Sequence, residues 1–264
     1  MVFSNKKFIP DFPFVLNCND VGDESSDPNL VIPLERIKNS SSTPAFKILG
    51  VFMDEHLTFN YHIKKLINKI NSAMFHISSV RNFLSKSSLT KLYYALVHPH
   101  ILYCLPVYSF TSLANRKKII TKQKQCIRII HNAKYNAHTE PLFVKSQILP
   151  FNDLVTQQKL TFMHAIFYGY STVHFPDFQI LSAMPNVHYQ LRNADDFFVC
   201  RTNSTFIKNM PLIDFPNTWN DLDSGYKEIR SKLLFKKTIK SDLLDKYCNF
   251  RCTKVFCVSC MPIA

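Results

Sequence analysis

The sequence predicts a mainly α fold with a small N-terminal β element, an α+β chain in which a helical bundle is followed by an irregular connector and a C-terminal helix. Three observations carry this. Apolar residues recur at three- and four-residue spacing over much of 61–170, short apolar runs that suit small strands lie within the first 55 residues, and 171–225 carries Pro176, Pro185, Pro211 and Pro216 with no sustained period. The 264 residues, 46% of them hydrophobic, suffice for a packed core and more than one subdomain. Four segments are expected: 1–55, 56–170, 171–225 and 226–264.

Taken in order, the first 45 residues are rich in Pro, Asp and Ser around two short apolar runs, MVF and FVL, which suit small strands joined by a long loop. Ala45 to Met53 reads as one more strand, ending at Asp54 and Glu55, and Asp54 reads as a turn or cap residue. From Tyr61 onward Ile63, Leu66, Ile67, Ile70, Ala73, Met74 and Ile77 form one apolar stripe, with Lys64, Lys65 and Lys69 off it. A second helix is expected from an N-cap at Ser87 or Ser88. It leads into the apolar segment Tyr93 to Tyr108, whose helix is bent or interrupted at Pro99. A third helix covers roughly Leu113 to His131, where Ile119, Ile120, Cys126, Ile127 and Ile130 alternate with basic residues. A fourth follows Pro150, capped by Asn152 or Asp153. Residues 171 to 225 read as a connector packed by its aromatics. A last amphipathic helix spans Tyr226 to Tyr247, with Phe235, Ile239 and Leu243 four apart.

The charge is more informative than its total of +13. From His56 to Thr139, 84 residues contain no Asp or Glu but 13 Lys and Arg, which leaves 19 basic against 19 acidic residues elsewhere. An ordinary surface mixes both signs to limit self-repulsion, so this segment points to a polyanionic partner, RNA, DNA or an RNA–DNA duplex. The cations expected to meet phosphate are Lys64, Lys65, Lys69, Arg116, Lys117, Lys118, Lys122, Lys124 and Arg128.

Other functions are excluded or weakly signalled. Four glycines, at 22, 50, 169 and 225, leave no closely spaced set for a phosphate loop or a dinucleotide fingerprint. The segment Tyr93 to Tyr108 is short of a membrane span, and the N-terminus has no signal-peptide core, so the chain reads as intracellular, in nucleus or cytoplasm. Cys248, Cys252, Cys257 and Cys260 are separated by three, four and two residues. Four thiolates could close a tetrahedral zinc site, and reduced free thiols and disulfides are the competing readings. His98, His100 and Cys104 lie in the most apolar segment, where core packing is favoured over metal binding. His138 and Glu140 have no nucleophile beside them. No catalytic residue is assigned.

The stretches FKILGVFMDEHLTFNYHI, LYYALVHPHILYC, KQCIRIIHNAKYNAHTEPLF with ILPFNDL, VHYQLRNADDFFVCRTN, and FPNTWNDL with FKKTIKSDLL occur in this order along nearly the whole chain. Together they resemble the C-terminal part of non-LTR, LINE-type retrotransposon reverse transcriptases. The resemblance implies that 1–55 corresponds to a palm edge, 56–170 to the thumb, and the remainder to the post-polymerase region. It also implies an RNA-directed DNA polymerase whose palm carboxylates, with their magnesium ions, lie upstream of Met1, so that the chain alone is inactive. The alternative is a stand-alone or decayed nucleic-acid-binding module without catalysis. Asp195 and Asp196, within Asn193 to Phe198, imitate a polymerase aspartate pair. They lack the preceding aromatic, and the resemblance puts them after the thumb, where Asp is ordinary.

Overall fold

The structure, a computed structural model, describes residues 14–17, 31–34, 45–171, 178–180 and 196–248. Two compact units divide the chain, Met1–His62 and Ile63–Ala264.

In the first unit, β1 (Phe14–Asn17) pairs antiparallel with β2 (Val31–Leu34), placing Phe14 opposite Leu34. The run expected as one strand is a hairpin instead. β3 (Phe46–Ile48) turns back onto β4 (Val51–Met53), with Ile48 opposite Val51. The reason is the two-residue loop Leu49-Gly50, both at positive φ (45° and 85°), the conformation whose twist suits a tight hairpin. Gly50 accepts it without strain, whereas Leu49 leaves its side chain 85% exposed. Asp54 then fastens the next turn as expected. Its Oδ2 accepts from the Thr58 backbone N–H and hydroxyl at 3.1 and 2.7 Å, and its Oδ1 from the Phe59 N–H at 2.8 Å. These bonds hold Leu57 and Phe59 at positive φ, with Phe59 buried.

Helix α1 (Asn60–Val80) begins at the end of this unit. Along it Ile63, Leu66, Ile70, Ala73 and Ile77 are buried and Lys64, Lys65 and Lys69 are exposed, the division that the stripe predicts. Helix α2 (Lys86–Leu96) is capped by Ser85, whose hydroxyl accepts from the Ser88 N–H, rather than by Ser87 or Ser88. After Val97 the chain resumes as two short pieces, α3 (His98–Leu102) and α4 (Leu105–Tyr108), each with proline near its start. Pro99 thus opens a new helix after the break, because its missing N–H has no partner to lose in a first turn. The Tyr108 hydroxyl donates back to the Ile101 carbonyl.

Helix α5 (Leu113–His131) has the expected bounds, with Ser112 accepting from the Asn115 N–H and Asn132 in the left-handed conformation at its end. Its principal neighbours are α2, α6 (Glu140–Ser146) and α7 (Phe151–Phe167). Helix α7 begins at Pro150 with no side-chain cap, so neither Asn152 nor Asp153 plays that part. Asp153 instead accepts from the Tyr247 hydroxyl.

Within 171–225 the expected lack of regular structure is also corrected. Besides the short α8 (Thr205–Lys208), a ten-residue helix, α9 (Pro211–Asn220), lies against α7. The last helix is in two pieces, α10 (Ser224–Lys227) and α11 (Lys232–Asp245), because Ser231 caps a fresh start by accepting from the Leu234 N–H. Helix α7 is the centre of this unit, touching α4, α5, α9 and α11. Around it His164 stacks on Phe235 at 4.3 Å, and Trp219, fully buried, lies 5.2 Å from Phe167 and 6.1 Å from Phe197 between ring centroids. Among the described residues no helix is long and apolar enough to cross a membrane.

Candidate nucleic-acid interface

The basic side chains of α5 are sorted by helical period. Asn115, Ile119, Gln123, Cys126, Ile127 and Ile130 face inward, leaving Lys117 and Lys118 exposed and Lys122 half-exposed on the outer side. The inward face is held polar end to polar end as well as by burial. Gln123 Nε2 donates to the Tyr93 hydroxyl and to the Leu149 carbonyl, both at 2.9 Å, which ties α5 to α2 and to the entry of α7. Burial pushes the Cys126 thiol up to about 12, so it serves as a small apolar residue rather than a nucleophile.

The nine expected cations do not share one fate. Lys124 donates to Glu140 Oε1 at 3.2 Å. Burial alone raises the Glu140 carboxyl, but backbone N–H groups and Lys124 together hold it below the usual range. Arg128 Nε donates to the Ala137 carbonyl at 3.0 Å. Arg116 is half-buried in the electrostatic reach of Asp214, which is itself paired with Lys159. Lys118 Nζ reaches Asn115 Oδ1 at 3.2 Å, a bond that leaves its other two protons to solvent. Lys64, Lys65 and Lys69 stand exposed on α1. Lys69 lies near enough to His100, after burial, to lower that imidazole's pKa.

Asp196 pairs with Lys227 Nζ at 2.8 Å, both side chains largely buried, and Phe197 exchanges two backbone hydrogen bonds with the Asn220 amide. Its role is structural, while Asp195 lies outside the described residues. Cys248 is exposed at the end of α11, and Cys252, Cys257 and Cys260 lie outside the described residues. Among the described residues no group of His, Cys, Asp and Glu is arranged to hold a metal, and His98, His100 and Cys104 form no such set.

A second basic feature escapes the reading by segments, because it sits outside the acid-free stretch. Lys236, Lys237 and Lys240 of α11 line a cavity with Tyr94, His98 and Gln157. The available signal is the i, i+4 pair Lys236 and Lys240, which shares one helix face with no carboxylate between.

Comparison with known proteins finds partial relatives. Over 120 residues, 44% of this chain, the sequence is 27% identical to the RNA-directed DNA polymerase from mobile element jockey of Drosophila funebris. Over 101 residues, 37% of the chain, it is 28% identical to the protein of the same name from Drosophila melanogaster. The chain is related in part to a reverse transcriptase of a mobile element. The matched segments span 13% and 11% of those relatives' own length. No protein-family model matches the chain, and no solved structure matches it.

Proposed function

We propose that the chain is a thumb-like, post-palm part of a LINE-type reverse transcriptase whose task is to hold the phosphate backbone of a template–primer duplex. The observation that carries the reading is the 84-residue segment without a carboxylate, whose lysines stand exposed on α1 and on the outer side of α5. The partial likeness to RNA-directed DNA polymerases supports the choice of nucleic acid as the polyanion. Polymerisation itself belongs, on this reading, to palm carboxylates and their metal ions, and the isolated chain binds without incorporating nucleotides. Contacts of this kind fix the position of the duplex and carry little sequence information.

The test is binding of the purified chain to an RNA–DNA duplex as a function of salt. A log–log slope equivalent to roughly four to six phosphate contacts is expected. The variant with Lys117, Lys118 and Lys122 changed to Gln should be shallower by about two to three contacts. Lys124 and Arg128 are left alone because both already have partners in the fold. Weak binding by both proteins at low salt, or an unchanged slope in the variant, removes the reading. Nucleotide incorporation by the purified chain contradicts its catalytic half.

A further inference from the structure

The cavity beside α11 is not used by the duplex-binding surface, and its walls have a composition of their own. It measures about 310 Å³, within the range of sites for small organic ligands. One part of the wall is apolar, built from Leu149 ahead of α7, Leu154 of α7, Leu233 of α11 and the ring of Tyr94. The other part carries Lys236, Lys237 and Lys240, and among the described residues no carboxylate lines the cavity.

Lys236 and Lys237 are exposed, whereas the Lys240 ammonium is partly withdrawn from solvent. Lys240 Nζ lies 3.3 Å from the Tyr94 hydroxyl and 5.6 Å from the centre of its ring, which holds the charge at the edge of the aromatic wall. Half-burial, then the proximity of Lys236, lowers the Lys240 pKa, so the site as it stands resists its own charge. The backbone that presents Lys236 is fixed from the opposite wall, because Gln157 Nε2 donates to the Lys236 carbonyl at 3.0 Å. His98, which also lines the cavity, has its Nδ1 buried and without a hydrogen-bond partner. Gln158 adds a half-buried amide, able both to donate and to accept.

An anion relieves the clustered lysines, but an inorganic anion leaves the apolar wall facing water. A ligand with a flat ring and an attached phosphate satisfies both parts. We propose that this cavity is a nucleotide site, with the phosphate on Lys236, Lys237 and Lys240 and the base against Tyr94, Leu149, Leu154 and Leu233. The choice of a nucleotide over another phosphorylated ring rests on the nucleic-acid reading above. Two sources present the same chemistry, a free mononucleotide or one nucleotide of a single strand.

The experiment titrates the full chain with uridine 5′-monophosphate, with a short single-stranded oligouridylate, and with uridine and inorganic phosphate as partial ligands. Binding of the monophosphate identifies the free nucleotide as ligand, and binding of the oligonucleotide alone identifies the strand. In either case Lys236→Gln with Lys240→Gln should weaken binding on the order of tenfold, the loss expected for removed charge-assisted hydrogen bonds. Uridine and inorganic phosphate should each bind at least about tenfold more weakly than the whole nucleotide, since each fills one half of the site. The single variant Lys237→Gln, at an exposed position, guards against a double variant that folds poorly and should give a smaller loss in the same direction.

The inference is overturned if neither nucleotide form binds, if the variants bind like the parent, or if inorganic phosphate binds as well as the nucleotide. The Lys117, Lys118 and Lys122 variant should bind the monophosphate normally. For the parent chain, failure to bind duplex with nucleotide binding intact therefore removes only the earlier reading, and duplex binding without nucleotide binding removes only this one.

Discussion

Two histidines show how differently one side chain is kept neutral. His164 is fully buried among aromatic rings, and its Nε2 lies 2.7 Å from the Ile229 carbonyl, so Nε2 carries the proton and donates it. Its Nδ1 has no partner, and a second proton there would be a buried charge without compensation. Burial accordingly lowers its pKa. His98 packs against Tyr93 and Tyr94, and burial first, then Lys236 and Lys240, push its pKa down to about 4. Each ring takes up its proton more readily in the unfolded chain, near 6.5, than in the fold. What these two rings contribute to stability is therefore fully present above about pH 6.5 and is lost as the pH drops, for His98 down through about 4. Melting temperatures across that range should show the fall, and His98→Gln should make it less steep. A melting temperature that does not move over the interval contradicts the assignment of both rings.

At the scale of elements, α9 carries weight that its sequence hides. Ile213, Phe215 and Trp219 are buried, Pro211 occupies a first-turn position where no N–H is needed, and Pro216 lies inside the helix and is also buried. Trp219→Ala should destabilise the fold by about 3–5 kcal/mol, read from denaturant unfolding, because it empties the space between Phe167, Phe197 and Phe235. A loss below about 1 kcal/mol means that α9 is a loosely attached segment. The same helix marks the limit of what the sequence makes legible. The bounds of α5, the stripe of α1 and the cap at Asp54 follow from spacing and turn chemistry, which are local. Helix α9 does not, because two prolines obscure the period and its support comes from α7 and Phe235. The hairpin at Leu49-Gly50 was hidden for a related reason, since a leucine seldom takes a positive φ. For the candidate interface, the sequence locates the basic segment, but partners such as Glu140 for Lys124 and the carbonyl of Ala137 for Arg128 depend on how the loop after α5 folds back. The cavity beside α11 is the least legible, as its walls come from three separate stretches of the chain, 94–98, 149–158 and 233–240.

Across the whole molecule, the charge distribution bears on stability as well as on the proposed binding. None of the first five helices has an acidic residue in its first turn, and the stretch from His56 to Thr139 offers no carboxylate for an ion pair along a helix. These helices are held by their buried faces against the repulsion of their own lysines. The basic segment thus contains no carboxylate of its own to balance its cations, so dissolved salt screens it and, on the proposed function, a duplex neutralises it. Added salt should raise the melting temperature of the free protein while reducing the extra stabilisation conferred by duplex. Melting curves recorded with and without duplex should converge as salt increases, whereas parallel curves mean that the duplex rests on contacts other than charge.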